Sequence, residues 1–343
     1  MTELHFGEDP PAPTPTLSVI IPLYQAEATI DRAIDSVLAQ TLRPLEIIVV
    51  DDGSTDAGPD RVRARADPRI VLIAQANAGC GAARNAGLAA ARGDFVAFLD
   101  ADDEWLPRFL ERAVHALERF PGVLVYQGAS VELGLDTGTP SPAASQGEPD
   151  VDDRAPQTRL ESPPSGDAKA LKRRIDHSLC TMLARRDLLL ALGGYYDRDG
   201  CRYGEDSVLS LLIHWNHAVL RDETPVHLRH QLESGLSRRN RRHPVVRPLV
   251  DDAEYAMARI APADRPAARR LIAYLSVLDA SRLAGRGHVR PAWSVLRRTL
   301  APADLVRPDL ALPLVRCALR AGLGSMRRAS RRAARAAPSG HRR

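Results

Sequence analysis

Four short apolar runs, each followed by a turn and then by a segment of helical periodicity, constrain this chain more than any other feature. Residues 17–22 end at a proline, 45–50 run into Asp51-Asp52-Gly53-Ser54, and 70–74 and 95–99 complete the set. Apolar runs of this length without alternation read as strands buried on both faces. Between the first two, residues 28–40 place Ile30, Ala33, Ile34, Val37 and Leu38 on one face of a helix. Helices are predicted again over 81–91 and 106–120, with a further strand at 123–126. Strands alternating with helices imply parallel βαβ units with right-handed crossovers, hence an α/β fold. In such sheets ligands collect beyond the C-terminal strand ends. The acidic turns Asp51-Asp52 and Asp100-Ala101-Asp102-Asp103 are therefore expected to share one crevice.

Later segments are less regular. Residues 136–168 hold six prolines among Asp, Glu, Ser and Gly and read as a flexible insertion. A strand over 179–183, a helix over 185–192 ending at Gly193-Gly194, a helix over 205–215 and a last strand over 226–230 follow. Beyond about Leu236 only helical segments are predicted, at 271–283, 291–300 and 312–337. The organisation expected is a disordered tail over 1–15, a catalytic α/β domain over 16–238 and an Arg-rich helical region over 239–343.

Charge divides along the same line. Residues 1–235 carry 23 Lys and Arg against 36 Asp and Glu, and residues 236–343 carry 24 Arg against 7 acids. So polarised a chain suggests that its C-terminal region meets an anionic membrane surface or another polyanion, or else is a solvated basic tail. On the projection of 312–337, Leu312, Val315, Leu319, Leu323 and Met326 fall on one side and most arginines on the other, the pattern of an interfacial helix or of one docked on the catalytic domain. No run of about 18 apolar residues appears, and the acidic, proline-rich start resembles no signal peptide. The four cysteines, Cys80, Cys180, Cys201 and Cys317, form no CxxC pair, so a cytoplasmic protein is expected, peripheral on the inner face of the membrane if the basic helix binds there.

Carboxylates converging at strand ends repel one another unless a cation or hydrogen-bond donors relieve them. Asp100-Ala101-Asp102 sets two carboxylates at alternating positions after an apolar strand, which suits Mg²⁺ or Mn²⁺ completed by phosphate and water. The alternative is a polar turn capping the helix that begins near Trp105, and Asp103 is assigned that capping role. Gly79 and Gly81 do not make a dinucleotide fingerprint, because that turn would follow the first strand and here it follows the third.

Four motifs occur in order: Ser18-Val-Ile-Ile-Pro-Leu-Tyr24, Glu46-Ile-Ile-Val-Val-Asp-Asp-Gly-Ser-Thr-Asp56, Asn77-Ala-Gly-Cys-Gly-Ala-Ala-Arg-Asn-Ala-Gly87 and Gly93-Asp-Phe-Val-Ala-Phe-Leu-Asp-Ala-Asp-Asp103. Together, over about residues 16–238 and with Gly193-Gly194-Tyr195, Gly204-Glu205-Asp206 and His230, they closely resemble the family 2 glycosyltransferases. The resemblance implies a GT-A fold, with a Rossmann-like, mostly parallel sheet flanked by helices, and inverting transfer of a sugar from a nucleotide diphosphate, with a UDP-sugar favoured. Pro22 and Tyr24 then lie at the base site, Tyr24 stacking on the base or else serving as a buried strand-end tyrosine. Asp52 corresponds to the acceptor of the uracil N3–H, or caps its turn. Arg84 faces the diphosphate or makes a helix-surface salt bridge. Asp102 is the metal ligand, Asp100 reaches ribose or metal, and His230 joins the metal site or is a surface histidine. Asp206 is the general base toward the acceptor hydroxyl, with Glu205 orienting the acceptor or capping its helix.

The acceptor expected by analogy is a glycan or lipid-linked hydroxyl of cell-envelope polysaccharide synthesis; nucleic acid is not an expected partner. A sugar nucleotidyltransferase would need a Gly-rich, basic loop after the first strand, where Leu23-Tyr24-Gln25-Ala26-Glu27 stands. A catalytically inactive nucleotide-sugar-binding module would not need Asp100, Asp102 and Asp206 together.

Overall fold

Side chains along a strand point alternately to its two faces, and the apolar runs fill both. In β1 (Leu17–Leu23) Val19 and Ile21 enter one hydrophobic cluster and Ile20 the other. In β2 (Glu46–Asp51) Ile47 and Val49 face one way, Ile48 and Val50 the other. A sheet buried on both sides needs a helical layer on each, and the computed structural model supplies them. It describes residues 15–133, 158–161, 172, 173, 175, 178–198, 201, 203–230, 246–302, 304, 307, 310, 311, 313–315, 317 and 318. Most of the 1–15 tail, the 136–168 insertion apart from 158–161, and the 312–337 helix beyond Ala318 lie outside these residues.

The strand order is β3 (Ile70–Ala74), β2, β1, β4 (Phe95–Phe98), β8 (Met182–Arg185), β6 (Val125–Leu133), β9 (Val219–His230), β5 (Glu104–Trp105), with β7 (Thr158–Glu161) paired to β9. The first four are parallel, with Ile20 opposite both Ile48 and Phe98. β8 reverses direction between β4 and β6, so the sheet is mixed but mostly parallel. Because β1, β2 and β4 run the same way, Tyr24, Asp51-Asp52 and Asp100 emerge at one edge.

One face is covered by α1 (Ile30–Leu38), α2 (Gly58–Arg63) and α4 (Phe109–Glu118), around Ile34, Val62, Trp105 and Phe109. The other is covered by α3 (Cys80–Ala90), α5 (Arg186–Ala191) and α6 (Glu205–Asn216). The C-terminal helices α7 (Pro248–Asp251), α8 (Ala253–Met257), α9 (Arg265–Gly285) and α10 (Val289–Thr299) share that same cluster. α3 lies close on the sheet because Gly87 has no side chain: a Cβ there would stand 2.5 Å from Ile20 Cγ2. Gly87→Ala is therefore expected to destabilise the fold by about 1–3 kcal/mol, the usual cost of overpacking, read as a lower urea midpoint at unchanged slope.

Several expectations change: the strand predicted over 179–183 is a 3-10 turn at Leu179–Thr181 followed by β8, and the one predicted over 123–126 is β6, which runs on to Leu133. The last strand starts at Val219, seven residues before the predicted 226, because its charged start is paired internally. Arg112 Nε donates to Asp222 Oδ2 at 2.6 Å and Tyr126 donates to the same oxygen at 2.9 Å. The predicted helix at 106–120 is shorter, Phe109–Glu118, and Asp103 does not cap it. Residues 158–161, inside the predicted insertion, form β7 on the edge of β9.

Candidate active site

Three turns at one sheet edge and the start of α6 build the site. After β1, Tyr24 is 36% exposed at the rim, while Pro22 is buried within the strand opposite Val50. After β2, Asp51 Oδ1 accepts the Ser54 N–H at 2.8 Å, closing the turn that Gly53 allows with its φ of +75°. Asp52 is buried, and its carboxylate organises the neighbouring loop. Oδ1 accepts from Gln75 Nε2 at 2.8 Å and from the Ala78 N–H at 2.8 Å, and Oδ2 from the Gly79 N–H at 2.9 Å. Three donors already occupy the carboxylate expected to read a base.

α3 starts from that loop and carries Arg84 inward. Its side chain is not on the helix surface, and among the described residues its polar partners are acids. NH1 donates to Glu205 Oε1 at 2.8 Å and NH2 to Asp100 Oδ1 at 2.6 Å, and the guanidinium lies 4.8 Å from the Tyr195 ring centre. Arg84 thus joins the turn after β4 to the first residue of α6. Asn85 beside it clasps the Gly193-Gly194-Tyr195 loop, accepting the Tyr195 N–H at 2.8 Å and donating to the Tyr195 carbonyl at 2.9 Å. Gly194 takes φ +68° there, and a Cβ would collide with Asn85 Oδ1. The motif containing Arg84 and Asn85 therefore assembles both halves of the site.

In the turn after β4, one oxygen from each of Asp100, Asp102 and Asp103 can come within 4.8 Å of the others, a donor set of hard oxygens suited to Mg²⁺ or Mn²⁺. Burial disfavours the Asp100 carboxylate, but the guanidinium of Arg84 holds its pKa below the usual range, so Asp100 is ionised at neutral pH. The Asp102 carbonyl accepts from Arg32, which fixes the turn on α1. Asp103, predicted as a helix cap, is buried and bonded to β9 instead. Its Oδ2 meets His227 Nε2 at 3.0 Å and its Oδ1 accepts the His230 N–H at 3.0 Å. His227 Nδ1 in turn meets Ser130 Oγ at 3.0 Å. His230 itself pairs with Glu104 at 2.9 Å through Nε2 and belongs to neither candidate cation cluster among the described residues. Sequence reasoning missed His227; its one signal is a histidine at an inward strand position between Val226 and Leu228.

α6 opens at Gly204, φ +72°, followed by Glu205 and Asp206. The two acids face different fates. Glu205 is buried on Arg84. Burial and the adjacent Glu205 charge push the Asp206 carboxyl up to about 6, despite the opposing pull of Arg84. A carboxylate with that affinity for protons, ionised at neutral pH, is suited to accept one from a hydroxyl.

The site is therefore a mostly parallel sheet with acidic turns at one edge and, near them, a carboxylate of raised proton affinity. Residues 18–186 match the family model described as glycosyl transferase family 2, so this chain carries a family 2 glycosyltransferase domain. Among curated relatives, an uncharacterized glycosyltransferase of Nostoc sp. is 46% identical over 134 residues, 38% of this chain and 41% of that protein. The succinoglycan biosynthesis protein ExoO of Rhizobium meliloti is 47% identical over 109 residues, 31% of each. The matches thus span less than half the length of these relatives. Among solved structures, TarS 1-349 of S. aureus in complex with UDP-GlcNAc shares the fold at TM-score 0.51 and 20% identity, covering 88% of this chain and 79% of that one. The mannosyltransferase PcManGT of Pyrobaculum calidifontis, in complex with GDP-Man and Mn²⁺, does so at 0.51 and 18%, covering 91% and 88%. The fold is the GT-A glycosyltransferase fold. No helix among the described residues is long and apolar enough to cross a membrane.

Proposed function

We propose that this protein is a metal-dependent, inverting glycosyltransferase that moves a sugar from a nucleotide diphosphate donor, a UDP-sugar by preference, to a hydroxyl of a glycan or lipid-linked acceptor in cell-envelope polysaccharide synthesis. The observation that carries this reading is the arrangement around Arg84: an ionised Asp100 on one arm and, on the other, the helix start that presents Asp206 with its raised proton affinity. Asp100 and Asp102 would hold the cation, since Asp103 is committed to His227 and the His230 backbone. When bound there, Mg²⁺ or Mn²⁺ supplies charge neutralisation to a departing nucleoside diphosphate. Asp206 takes the proton of the acceptor hydroxyl while the hydroxyl oxygen attacks C1 and the bond from C1 to the diphosphate oxygen breaks, releasing the nucleoside diphosphate. The proposed route is a single displacement with inversion, because none of the site side chains is assigned as a nucleophile. Tyr24, at the exposed rim, offers a ring face to the base, and Pro22 and Asp52 shape the base site from beneath.

The test is nucleoside diphosphate release from a panel of nucleotide sugars, with and without chelator and across pH. Release is expected with one donor, lost on chelation, and falling as the pH drops through about 6, because Asp206 that already carries a proton is no longer basic enough to take one from the hydroxyl. Chelator-insensitive release, or a flat profile between pH 5 and 8, would sink this mechanism.

A further inference from the structure

The outer face of α10 has a composition that the catalytic site does not use. Arg290, Trp293, Ser294 and Arg297 are all exposed and, spaced three or four residues apart, form one stripe along the helix, with Arg298 beside it. Ala292, Val295 and Leu296 turn the other way into the core. Trp293 is 57% exposed, whereas Trp105 and Trp215 are 3% and 4% exposed. Among the described residues neither Arg290 nor Arg297 has an acidic partner, and residues 280–303 contain no acid at all. Behind the stripe a groove of about 520 Å³ opens between α10 and the residues following it, lined by Val289, Leu296, Leu300, Pro302 and Leu314.

We infer that this face is a docking surface for an anionic lipid bilayer. Charge complementarity selects that occupant. Arg290 and Arg297, with no acidic partner among the described residues, meet a negative headgroup layer favourably, and an indole held between them is placed at the depth where tryptophan resides in membrane interfaces. The groove adjoins the stripe through Trp293 and Arg297, which line both. The stripe itself lies outside the segment predicted over 312–337, which contributes Leu314 to the groove, and stripe and groove both consist of described residues.

The surface also connects to the site. Arg298 pairs with Asp251 at 2.7 Å, at one end of the four-residue helix α7. At its other end Pro248 Cδ would contact a Cβ on Gly204, the residue preceding Glu205 and Asp206. One helical turn therefore separates the lipid-facing helix from the turn that presents the base. In serving a lipid-confined acceptor the inference rests on the function proposed above, but its binding step does not.

The experiment uses the full chain with phosphatidylcholine vesicles and with vesicles that also contain phosphatidylglycerol. Tryptophan emission is expected to shift to the blue with the anionic vesicles only, and the shift should disappear in Trp293→Phe and weaken as salt is raised. R290E/R297E, which alters only exposed side chains, should bind the anionic vesicles about tenfold or more weakly while releasing nucleoside diphosphate from soluble donor at the wild-type rate. Loss of donor turnover in the wild-type chain would instead overturn the function while leaving the vesicle result standing. Absence of any shift at low salt overturns the inference. So does vesicle binding that survives R290E/R297E and vanishes when residues 319–343 are removed, which would assign the membrane to the C-terminal arginines.

Discussion

Asp206→Asn is expected to slow sugar transfer by about 10²-fold or more while leaving nucleotide affinity nearly unchanged. The amide keeps the size and position of the side chain at the start of α6 but has no basicity. Its acidic pH limb near 6 should vanish together with the rate. Misfolding is a separable explanation, and the sign of the stability change separates it. A carboxyl whose folded pKa lies above its ordinary value favours folding less once the pH passes that ordinary value, and the deficit grows until the pH reaches about 6. Removing it should therefore leave the protein as stable at pH 7 or somewhat more so, in urea titrations that report the fold rather than the reaction. If Asp206→Asn turned over normally and Glu205→Gln were inactive, the two acids would have exchanged roles.

Asp102→Ala carries the second large effect. It should abolish transfer and weaken donor binding measured in the presence of Mn²⁺ or Mg²⁺, while binding of the free nucleoside, which lacks phosphates, stays the same. The split follows from placement: Asp102 sits in the turn after β4 with Asp100, whereas the base site proposed above lies at the ends of β1 and β2. Full activity of the variant in chelator would reduce the motif to a turn.

Much of this was readable in advance, for definite reasons. Buried parallel strands must be apolar on both faces, so β1, β2, β3 and β4 appear as uninterrupted runs, and the turns behind them need Asp, Gly and Ser whatever else they do. What escaped depends on partners remote in sequence. The start of β9 looks too charged for a strand until Arg112, 110 residues earlier, is set against Asp222. α2 begins at Gly58-Pro59, a pair that reads as a breaker although proline fits a first helical turn. Asp103 looked like a cap because a helix follows it. Its true partner, His227, is 124 residues away, and nothing local announces the pair. Arg84 reads from its motif either as a phosphate contact or as a helix-surface salt bridge, and the sequence neighbourhood does not show its two acid partners, one of them 121 residues downstream.

That shared guanidinium couples the turn after β4 to the start of α6. Asp100 and Glu205 draw on the single positive charge of Arg84, whose buried Nε has no hydrogen-bond partner among the described residues. Whatever neutralises Asp100 from outside removes one of the charges that raise the Asp206 proton affinity and leaves more of Arg84 to oppose it, lowering that affinity. By reciprocity, the protonation state on the acceptor side must alter affinity for a cation on the donor side by the same factor. Metal titrations performed at two pH values would thus read a property of the acceptor half without any acceptor being present.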